Sequence, residues 1–240
     1  MSRDLAETAL LLSDPGRTSI IMALLGNIAL PAGQLALIAN VAPQTASSHL
    51  AKLVGGRILA VEQQGRHRYY RLANAEVAHA IEALLAITAS RRNGSPLTKQ
   101  TPGRNHPTGQ MAFARTCYSH LAGWLAVAIA EVLEKRQYLR PSEPKLYQIT
   151  KAGRAWFEEL GLGLDASQGR QPHVARRCLD WSERRHHIAG ELGAALLTQF
   201  RALQWIAPIR GSRAVRVTIK GQQKFQELLG IRIPNGQGSQ

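Results

Sequence analysis

The clearest regularity in the chain is the spacing of apolar positions between residues 31 and 73. Two short helical patterns come first, separated by a turn. Pro43 suits the first position of the second helix, where a missing N–H costs no hydrogen bond. Two strand-like runs follow at residues 58–61 and 69–72, with a polar loop and a single glycine between them. The pattern predicts two helices joined by a turn and then a β-hairpin.

Each of the two helices is predicted to bury one apolar face. This face consists of Leu35, Ala36, Ile38 and Ala39 in the first helix, and of Ala46, Leu50, Leu53 and Val54 in the second. The positions left exposed on the second helix are mostly small and polar, namely Gln44, Thr45, Ser47, Ser48, His49 and Lys52. Hydroxyl and amide groups in the first turns of a helix can reach base edges or phosphates in the major groove of DNA. The second helix is therefore predicted to contact DNA.

The loop of the hairpin has cationic side chains at its tip. Arg66, His67 and Arg68 follow Gly65, and arginines placed there can reach a phosphate or a minor groove beside the helix. Taken alone, the loop is equally well explained as a solvated turn with two ordinary arginines. Next to a helix-turn-helix, contact with DNA is the favoured interpretation.

Motifs in this region resemble those of the ArsR/SmtB family of bacterial repressors. The pattern S-x-H-L-x-x-L is formed by Ser47, His49, Leu50 and Leu53. A wing similar to the family's G-R-Y-Y-R segment follows, and residues 11–17 are similar to its L-x-D-P-x-R motif. The resemblance covers residues 3–90 and implies a homodimer that binds a near-palindromic operator in double-stranded DNA and is released by an inducer. It also implies that the first helix and the helix at residues 75–90 form the dimer interface.

The residues that bind metal in the family's metal-sensing members are mostly missing here. Pro31 and Gly33 stand where such members place cysteines. On the helix after the wing, Glu76, His79 and Glu82 match the family's other metal site only in part, without its second histidine. We therefore predict no metal ion and no cofactor, and the resemblance leaves the class of inducer open.

The chain is strongly basic, with a formal net charge of +14 at pH 7, which favours a polyanionic partner. The excess lies away from the helix-turn-helix. Residues 1–90 carry +1, residues 91–112 carry +4, residues 113–165 carry +1 and residues 166–240 carry +8. The last third therefore also contacts DNA, holds an anionic ligand or forms a solvated basic surface, and the sequence favours none of these strongly.

An internal repeat follows a linker rich in Gly, Pro and Thr. Its two copies match at many positions, among them Cys117 with Cys178. Each copy is predicted to run helix, helix, strand, a T-x-x-G motif and a final helix, an order similar to winged-helix domains of the PadR and MarR types. The predicted fold is mainly α with short β-hairpins: a winged helix-turn-helix domain and then two degenerate winged-helix-like repeats. The predicted boundaries are 1–92 for the first domain, 93–111 for the linker, and 112–165 and 172–233 for the repeats.

The two copies contain the best candidates for a ligand site, since the crevice between two repeats is a usual place for a ligand. The predicted effector-binding residues, at the starts of equivalent helices, are Cys117, His120, Trp124, Cys178, Trp181 and His187. Thiol and imidazole groups also suit a soft metal or a reactive-thiol sensor, and inert buried cysteines are the common alternative. We predict an unidentified small-molecule effector. The lack of an evident orienting acid argues against a catalytic Cys–His pair.

Two functions from different classes remain. The first is an operator-specific transcriptional regulator, a repressor released by an effector bound in the repeats. The second is a basic architectural protein that binds nucleic acid with little sequence preference. The polar side chains of the second helix favour the first function, since base-edge chemistry would be wasted on a non-specific binder. No enzymatic activity is predicted.

The sequence also suggests a cellular compartment. Two cysteines without a disulfide framework indicate a reducing environment. The first residues include acids and do not match a secretion signal, and no apolar run reaches the roughly 18–20 residues that span a membrane. The predicted location is the cytoplasm, with no membrane partner.

Overall fold

The structure of the protein, a computed structural model, describes residues 2–92, 109–143, 145–163 and 174–234. It divides into two compact units, Met1–Ala80 and Ile81–Gln240. The predicted linker lies outside the described residues, apart from its last three positions. Within the described ranges, no helix has the length and apolar character needed to cross a membrane.

The first unit is a winged helix-turn-helix, which confirms the fold predicted for it. Its elements are α1 (Ser2–Leu12), α2 (Pro15–Leu24), β1 (Leu30–Pro31), α3 (Ala32–Ala39), α4 (Pro43–Gly55), β2 (Leu59–Gln64) and β3 (His67–Leu72). The strands form an antiparallel sheet in the order β1-β3-β2. The wing, β2 and β3, is longer than predicted because Gln64 pairs with His67, which leaves a two-residue turn. After the wing, α5 (Ala75–Arg92) begins in this unit and continues into the second.

Hydrogen bonds fix the junction between the first two helices. Asp14 caps α2 by accepting from the Arg17 backbone N–H at 2.8 Å. The Arg17 guanidinium in turn donates to carbonyl oxygens in the last turn of α1, at 2.7 and 2.8 Å. These contacts explain why the L-x-D-P-x-R motif is a helix junction.

The packing of α3 differs from the prediction at one position. Leu35 and Ala36 are buried against the neighbouring helices, but Ile38 is 47% exposed. The predicted burial of Ile38 is wrong, because the short α3 turns only one narrow stripe towards α2 and α4.

The second unit contains the same order of elements twice, after a short helix α6 (Gln110–Phe113). The first run consists of β4 (Arg115–Cys117), β5 (His120–Ala122), α7 (Trp124–Lys135), β6 (Leu139–Pro141), β7 (Leu146–Ile149) and α8 (Lys151–Glu159). The second run consists of β8 (Ala175–Leu179), β9 (His186–Ala189), α9 (Gly190–Ala202), β10 (Ile206–Pro208), β11 (Val215–Val217) and α10 (Ile219–Leu229). Descent of the two runs from a winged-helix module stays a prediction.

Each run begins with a β-hairpin and not with the predicted helix. In the first run, β4 pairs with β5 across a two-residue turn in which Tyr118 has a φ of 55°. All residues of both strands are buried, so no alternation of polar and apolar side chains marks them in the sequence. In the second run, β8 pairs with β9 in the same antiparallel manner. The prediction that Cys117, His120 and Cys178 stand at helix starts is therefore wrong.

The two runs interlock. β7 of the first run pairs with β8 of the second, which gives an antiparallel sheet in the order β6-β7-β8-β9. The equivalent contact in the other direction is a bridge between Arg115 of β4 and Ala214, the residue before β11. Both runs also contribute to one hydrophobic core, which contains Phe157 of α8 and the equivalent Phe225 of α10. Neither run therefore has a core of its own.

Two equivalent glycines bring helix and strand backbones into close contact. Thr150 caps α8 by accepting from the Gly153 N–H at 3.0 Å, and Thr218 caps α10 by accepting from the Gly221 N–H at 2.9 Å. A Cβ at Gly153 would lie 2.1 Å from the carbonyl oxygen of the residue before β6. A Cβ at Gly221 would lie 2.0 Å from the carbonyl oxygen of the residue before β10. The close approach explains the glycine of the T-x-x-G motif in both runs.

Candidate functional site

The exposed face of α4 is polar and carries no acidic group. The exposed polar side chains are Gln44, Thr45, Ser47, Ser48 and Lys52, and Pro43 and Ala51 are also exposed. On the opposite face Ala46, Leu50 and Leu53 are each at most 1% exposed. One face therefore fixes α4 within the first unit, and the other presents small hydrogen-bonding groups to the outside.

His49 differs from its neighbours on α4. Its side chain is 12% exposed, and its Nε2 lies 3.5 Å from Asp14 Oδ1 at the cap of α2. A Cβ added at Gly16 would lie 3.1 Å from the same imidazole nitrogen. The predicted outward orientation of His49 is wrong, because its side chain packs α4 against the start of α2. His49 is therefore not part of the exposed polar face of α4.

The tip of the wing is cationic. Gly65, with a φ of 60°, and Arg66 form the turn, and Arg66, His67 and Arg68 are all exposed. Further along the hairpin, the guanidinium of Arg71 donates to the carboxylate of Glu62 and balances its charge. The wing tip and the exposed face of α4 thus offer donors and positive charge to a polyanion.

In the second unit, two hairpins each place a cysteine opposite a histidine. Cys117 of β4 pairs with His120 of β5, and Cys178 of β8 pairs with His187 of β9. Directly opposed residues of an antiparallel pair have neighbouring Cβ atoms on one face of the sheet. Each hairpin therefore presents a thiol and an imidazole side by side.

The two pairs lie together in the interior of the second unit. The Nε2 atoms of His120 and His187 are 3.0 Å apart, and one sulfur or nitrogen from each of the four residues lies within 4.8 Å of the others. Cys117, His120 and His187 are each 1% exposed, and Cys178 is partly buried. The four residues form a compact group of two sulfurs and two nitrogens, the Cys–His cluster.

The two thiols of the Cys–His cluster differ in acidity. A hydrogen bond with Cys117 lowers the pKa of Cys178, and hydrogen bonds with His120 and His187 lower it further against the effect of burial. The pKa of Cys117 is raised, first by its hydrogen bond to Cys178 and then by burial. Cys178 is therefore the more acidic thiol of the pair.

Asp180 organises the surroundings of the cluster. Its Oδ2 accepts from Arg115 Nη2 at 2.9 Å and from the Gly123 N–H at 2.7 Å, and lies 3.5 Å from His187 Nδ1. Its Oδ1 accepts from the Ser182 N–H at 2.9 Å. Burial would raise the pKa of Asp180, but the charges of Arg115 and His187 and the hydrogen bonds hold it at about 2. Asp180 is therefore a fixed negative charge beside the cluster.

The two tryptophans predicted to contact an effector have different surroundings. Trp181 lies next to the ion pair of Arg115 and Asp180, with the Arg115 guanidinium 4.5 Å from the centroid of the Trp181 ring. Trp124 begins α7 and stacks on Phe113, with ring centroids 5.5 Å apart. The structure thus brings together four of the six predicted residues, places Trp181 beside Arg115 and packs Trp124 against α6.

The ion pair between Arg115 and Asp180 is not evident from the sequence. The two residues are 65 positions apart, and their pairing depends on which hairpins meet. One signal was present: Arg115 stands two residues before Cys117, and Asp180 stands two residues after Cys178. Arg115 shares a face of β4 with Cys117, and Asp180 directly follows β8, so both charges lie near the cysteines once the strands are known.

A small apolar cavity lies between the two runs. It is lined by Leu121, Ala126, Ile129, Ile188, Gly193, Leu196 and Phe200. Its volume of about 20 Å³ holds about one water molecule. Pockets for organic ligands measure roughly 300–1,000 Å³, so this cavity does not hold such a ligand without rearrangement.

Comparison with known proteins gives one full-length relative. No family model matches the chain. The chain is 40% identical over 233 residues to the uncharacterized HTH-type transcriptional regulator YdfF of Bacillus subtilis strain 168. The aligned region covers 97% of this chain and 100% of YdfF.

Solved structures similar to the chain match its N-terminal part. One is the homodimeric winged helix-turn-helix DNA-binding domain of a possible ArsR-family transcriptional regulator from Mycobacterium bovis, at 21% identity and a TM-score of 0.37, covering 40% of this chain and 89% of that one. Another is the cadmium metal-sensor CMTR from Mycobacterium tuberculosis, at 27% identity and a TM-score of 0.31, covering 42% of this chain and 97% of that one.

The full-length relative agrees with the geometry of the first unit. α3 and α4 form a helix-turn-helix, and β2 and β3 form its wing. The match to YdfF extends through the second unit as well, at an identity of 40%. The chain therefore belongs to the HTH-type transcriptional regulators.

Proposed function

We propose that this regulator is a homodimeric repressor that binds a two-fold symmetric operator with α4 in the major groove and the wing tip on the DNA backbone. The observation that carries the proposal is the exposed, acid-free polar face of α4 beside a cationic hairpin tip in the same unit. Gln44, Thr45, Ser47 and Ser48 have the short side chains that reach base edges, and Lys52, Arg66 and Arg68 suit phosphates. His67 lies at the same tip and is also proposed to contact the DNA backbone.

Exposed apolar side chains support the homodimer. On α1, Leu5 is 71% exposed and Leu10 is 65% exposed, and on α5 Leu84 is 45% exposed and Ile87 is 55% exposed. Large apolar side chains left in contact with water on a helix are typical of a protein interface. The resemblance to the ArsR/SmtB family assigns these two helices to the dimer. A second copy of the chain is therefore the proposed partner.

The second unit is proposed to sense a ligand at the Cys–His cluster and to transmit its state through α5. Glu82 of α5 is 2% exposed and accepts from Arg213 Nη1 at 2.8 Å. The same nitrogen donates to the carbonyl oxygen of Thr116 at 3.2 Å, one residue before Cys117. A change at the cluster thus reaches α5 through two contacts. A coupling free energy of about 1–3 kcal/mol is enough to change operator occupancy.

Selection of bound fragments from genomic DNA at physiological salt tests this function. We expect enrichment of one near-palindromic sequence with half-sites about one helical turn apart, because one winged helix contacts too few base pairs to be selective. Sedimentation of the free protein at micromolar concentration should give a dimer. A flat enrichment profile would instead support a basic architectural protein with little sequence preference, and a monomer with a single, unrepeated site would contradict the dimer.

Two substitutions separate specificity from general affinity. Ser48→Ala should weaken the preference at one or two base pairs by about 1–3 kcal/mol, because a hydroxyl in the first turns of α4 contacts base edges. Arg68→Ala should weaken binding to all sequences alike and reduce the slope of log affinity against log salt by about one unit, because its charge faces a phosphate. Binding titrations on the selected site and on a scrambled site at several salt concentrations measure both effects. The same loss on both DNAs from both variants would contradict the assignment.

A further inference from the structure

We propose that Cys117, His120, Cys178 and His187 form a binding site for one divalent metal ion of the zinc class. This differs from the expectation of no metal, which rested on the family's metal positions in the first domain and the helix after the wing. The proposed site uses none of those positions. The proposed site lies in the second unit and is built from two hairpins.

The geometry of the Cys–His cluster supports the site. A tetrahedral ion with bonds of about 2.3 Å to sulfur and 2.0 Å to nitrogen holds its ligand atoms roughly 3.3–3.8 Å apart. The four candidate atoms lie within 4.8 Å of one another, and the two Nε2 atoms are 3.0 Å apart. Side-chain rotations of about 1 Å or less would bring the set to this spacing. The strand register supplies the four ligands symmetrically, with one cysteine and one histidine from each hairpin.

The chemistry of the four groups fits the same ion. Two thiolates and two imidazoles are a usual ligand set of structural zinc sites, and soft thiolates discriminate against magnesium and calcium. Two imidazoles that face each other through Nε2 leave Nδ1 for an outer partner. The Nδ1 of His187 points towards Asp180 at 3.5 Å and has no hydrogen-bond partner among the described residues. A carboxylate behind a ligating histidine is the usual arrangement that orients the ring.

Charge balance also favours a divalent cation. Both thiols lose their protons when a metal ion binds, and an ion of charge +2 cancels the resulting charge of −2. The buried charges around the cluster are already paired, Arg115 with Asp180 at 2.9 Å and Arg213 with Glu82 at 2.8 Å. A metal-loaded site would therefore add no net charge to the interior of the second unit.

The number of ligands indicates what the ion would do. Four protein ligands complete a tetrahedral shell and leave no open position for a water or a substrate. The site is therefore structural or sensory and not catalytic. If the proposed function is correct and this cluster is the regulator's ligand site, the metal ion is the regulatory ligand.

Metal binding by the full-length protein tests the site directly. The metal-free chain, kept reduced so that Cys117 and Cys178 remain thiols, is titrated with Co²⁺ and then with Zn²⁺. We expect one Co²⁺ per chain, with the visible bands of tetrahedral cobalt and the near-ultraviolet charge-transfer band of a thiolate ligand. Zn²⁺ should displace the cobalt and raise the melting temperature of the second unit, because it binds the folded state. A chain that takes up no cobalt at one equivalent overturns the proposal.

Single substitutions locate the ion. Cys178→Ser and His187→Gln should each weaken Zn²⁺ binding, measured against a chromophoric chelator, by more than the roughly 10–100-fold that an outer partner contributes. The matched control is His186→Gln, because His186 is the adjacent residue of β9 and its Nδ1 bonds to Arg177 instead. Its affinity should match that of the unaltered protein. Equal affinity in all three variants, with circular dichroism showing them folded, overturns the proposed ligand set.

DNA binding is measured separately, so that the two proposals can fail independently. Cobalt bands together with an unselective DNA profile overturn the proposed function and support the metal site. Selective DNA binding without cobalt bands supports the proposed function and overturns the metal site. If cobalt bands appear but adding Zn²⁺ does not change the operator affinity, the metal site is supported and the regulatory role of the ion is overturned.

Discussion

Asp180→Asn is expected to lower the free energy of unfolding of the second unit by about 3–5 kcal/mol. The guanidinium of Arg115 is fully buried, and the Asp180 carboxylate, 2.9 Å away, is its counter-charge. Asparagine keeps the shape of the side chain but leaves the buried cation without an anion. It also replaces an acceptor that the Gly123 N–H uses at 2.7 Å. Breaking one side of a buried ion pair costs far more than losing a surface pair.

Unfolding in urea, monitored by tryptophan fluorescence, measures this loss of stability in the second unit. All four tryptophans, at positions 124, 156, 181 and 205, lie in the second unit. The matched control is Glu131→Gln, which removes the acid of the half-exposed pair between Glu131 and Arg185 and should cost less than about 1 kcal/mol. A loss below about 1 kcal/mol for Asp180→Asn as well would contradict the counter-charge role of this carboxylate.

The same pair gives a pH dependence of known sign. The pKa of Asp180 in the folded protein is about 2, below its ordinary value of 3.8. The stability that comes from this lowered pKa is present in full above the ordinary value and is lost as the pH falls from about 4 towards 2. Asp180→Asn has no carboxylate to protonate. Its stability should therefore be lower at neutral pH and fall less than that of the unaltered protein across this window.

Gly153→Ala and Gly221→Ala should each destabilise the second unit by about 3 kcal/mol or more, at or above the upper end of the usual cost of overpacking. The added methyl carbons would lie 2.1 and 2.0 Å from backbone carbonyl oxygens, and backbone atoms cannot rotate away as a side chain can. The two changes should have similar effects because the positions are equivalent in the two runs. Tryptophan fluorescence in urea again measures the unfolding free energy.

An exposed neighbour provides the control for the glycine variants. Lys220→Ala changes the residue before Gly221 in the same first turn of α10, where the side chain is exposed. Its effect should stay within about 0.5 kcal/mol. If the glycine variants were as stable as this control, the close contact between α10 and the residue before β10 would be wrong, and so would its counterpart at α8.

The helix-turn-helix could be predicted from sequence because α3 and α4 are each buried on one side only. On α4, Ala46, Leu50 and Leu53 are buried at spacings of three and four residues while Ser47 and Ser48 are exposed, which is the pattern of an amphipathic helix. His49 was an exception, because it belongs to the polar face of α4 by its spacing in the sequence and yet packs against the cap of α2. Nothing in the spacing of residues along α4 distinguishes His49 from the exposed Ser48.

The second unit was harder because β4 and β5 are buried on both faces. Arg115, Thr116 and Cys117 are all buried, so the period of two that identifies a strand is missing. The sequence matches did identify equivalent residues in the two runs, including the cysteines and the T-x-x-G glycines. They could not show that β7 pairs with β8 of the other run, since register between distant segments is set by tertiary packing. The site residues were therefore found, but their grouping was not.

The interlocked strands have a consequence for the order in which a newly made chain can fold. The hydrogen bond from Thr116 to Arg213 joins residues 97 positions apart, so β4 cannot complete its pairing until nearly the whole chain has left the ribosome. The first unit contains all of its own strand partners within its first 80 residues and can fold while the rest is being synthesised. For a short period after each round of translation, the nascent protein would therefore have a finished helix-turn-helix unit and an unfinished second unit.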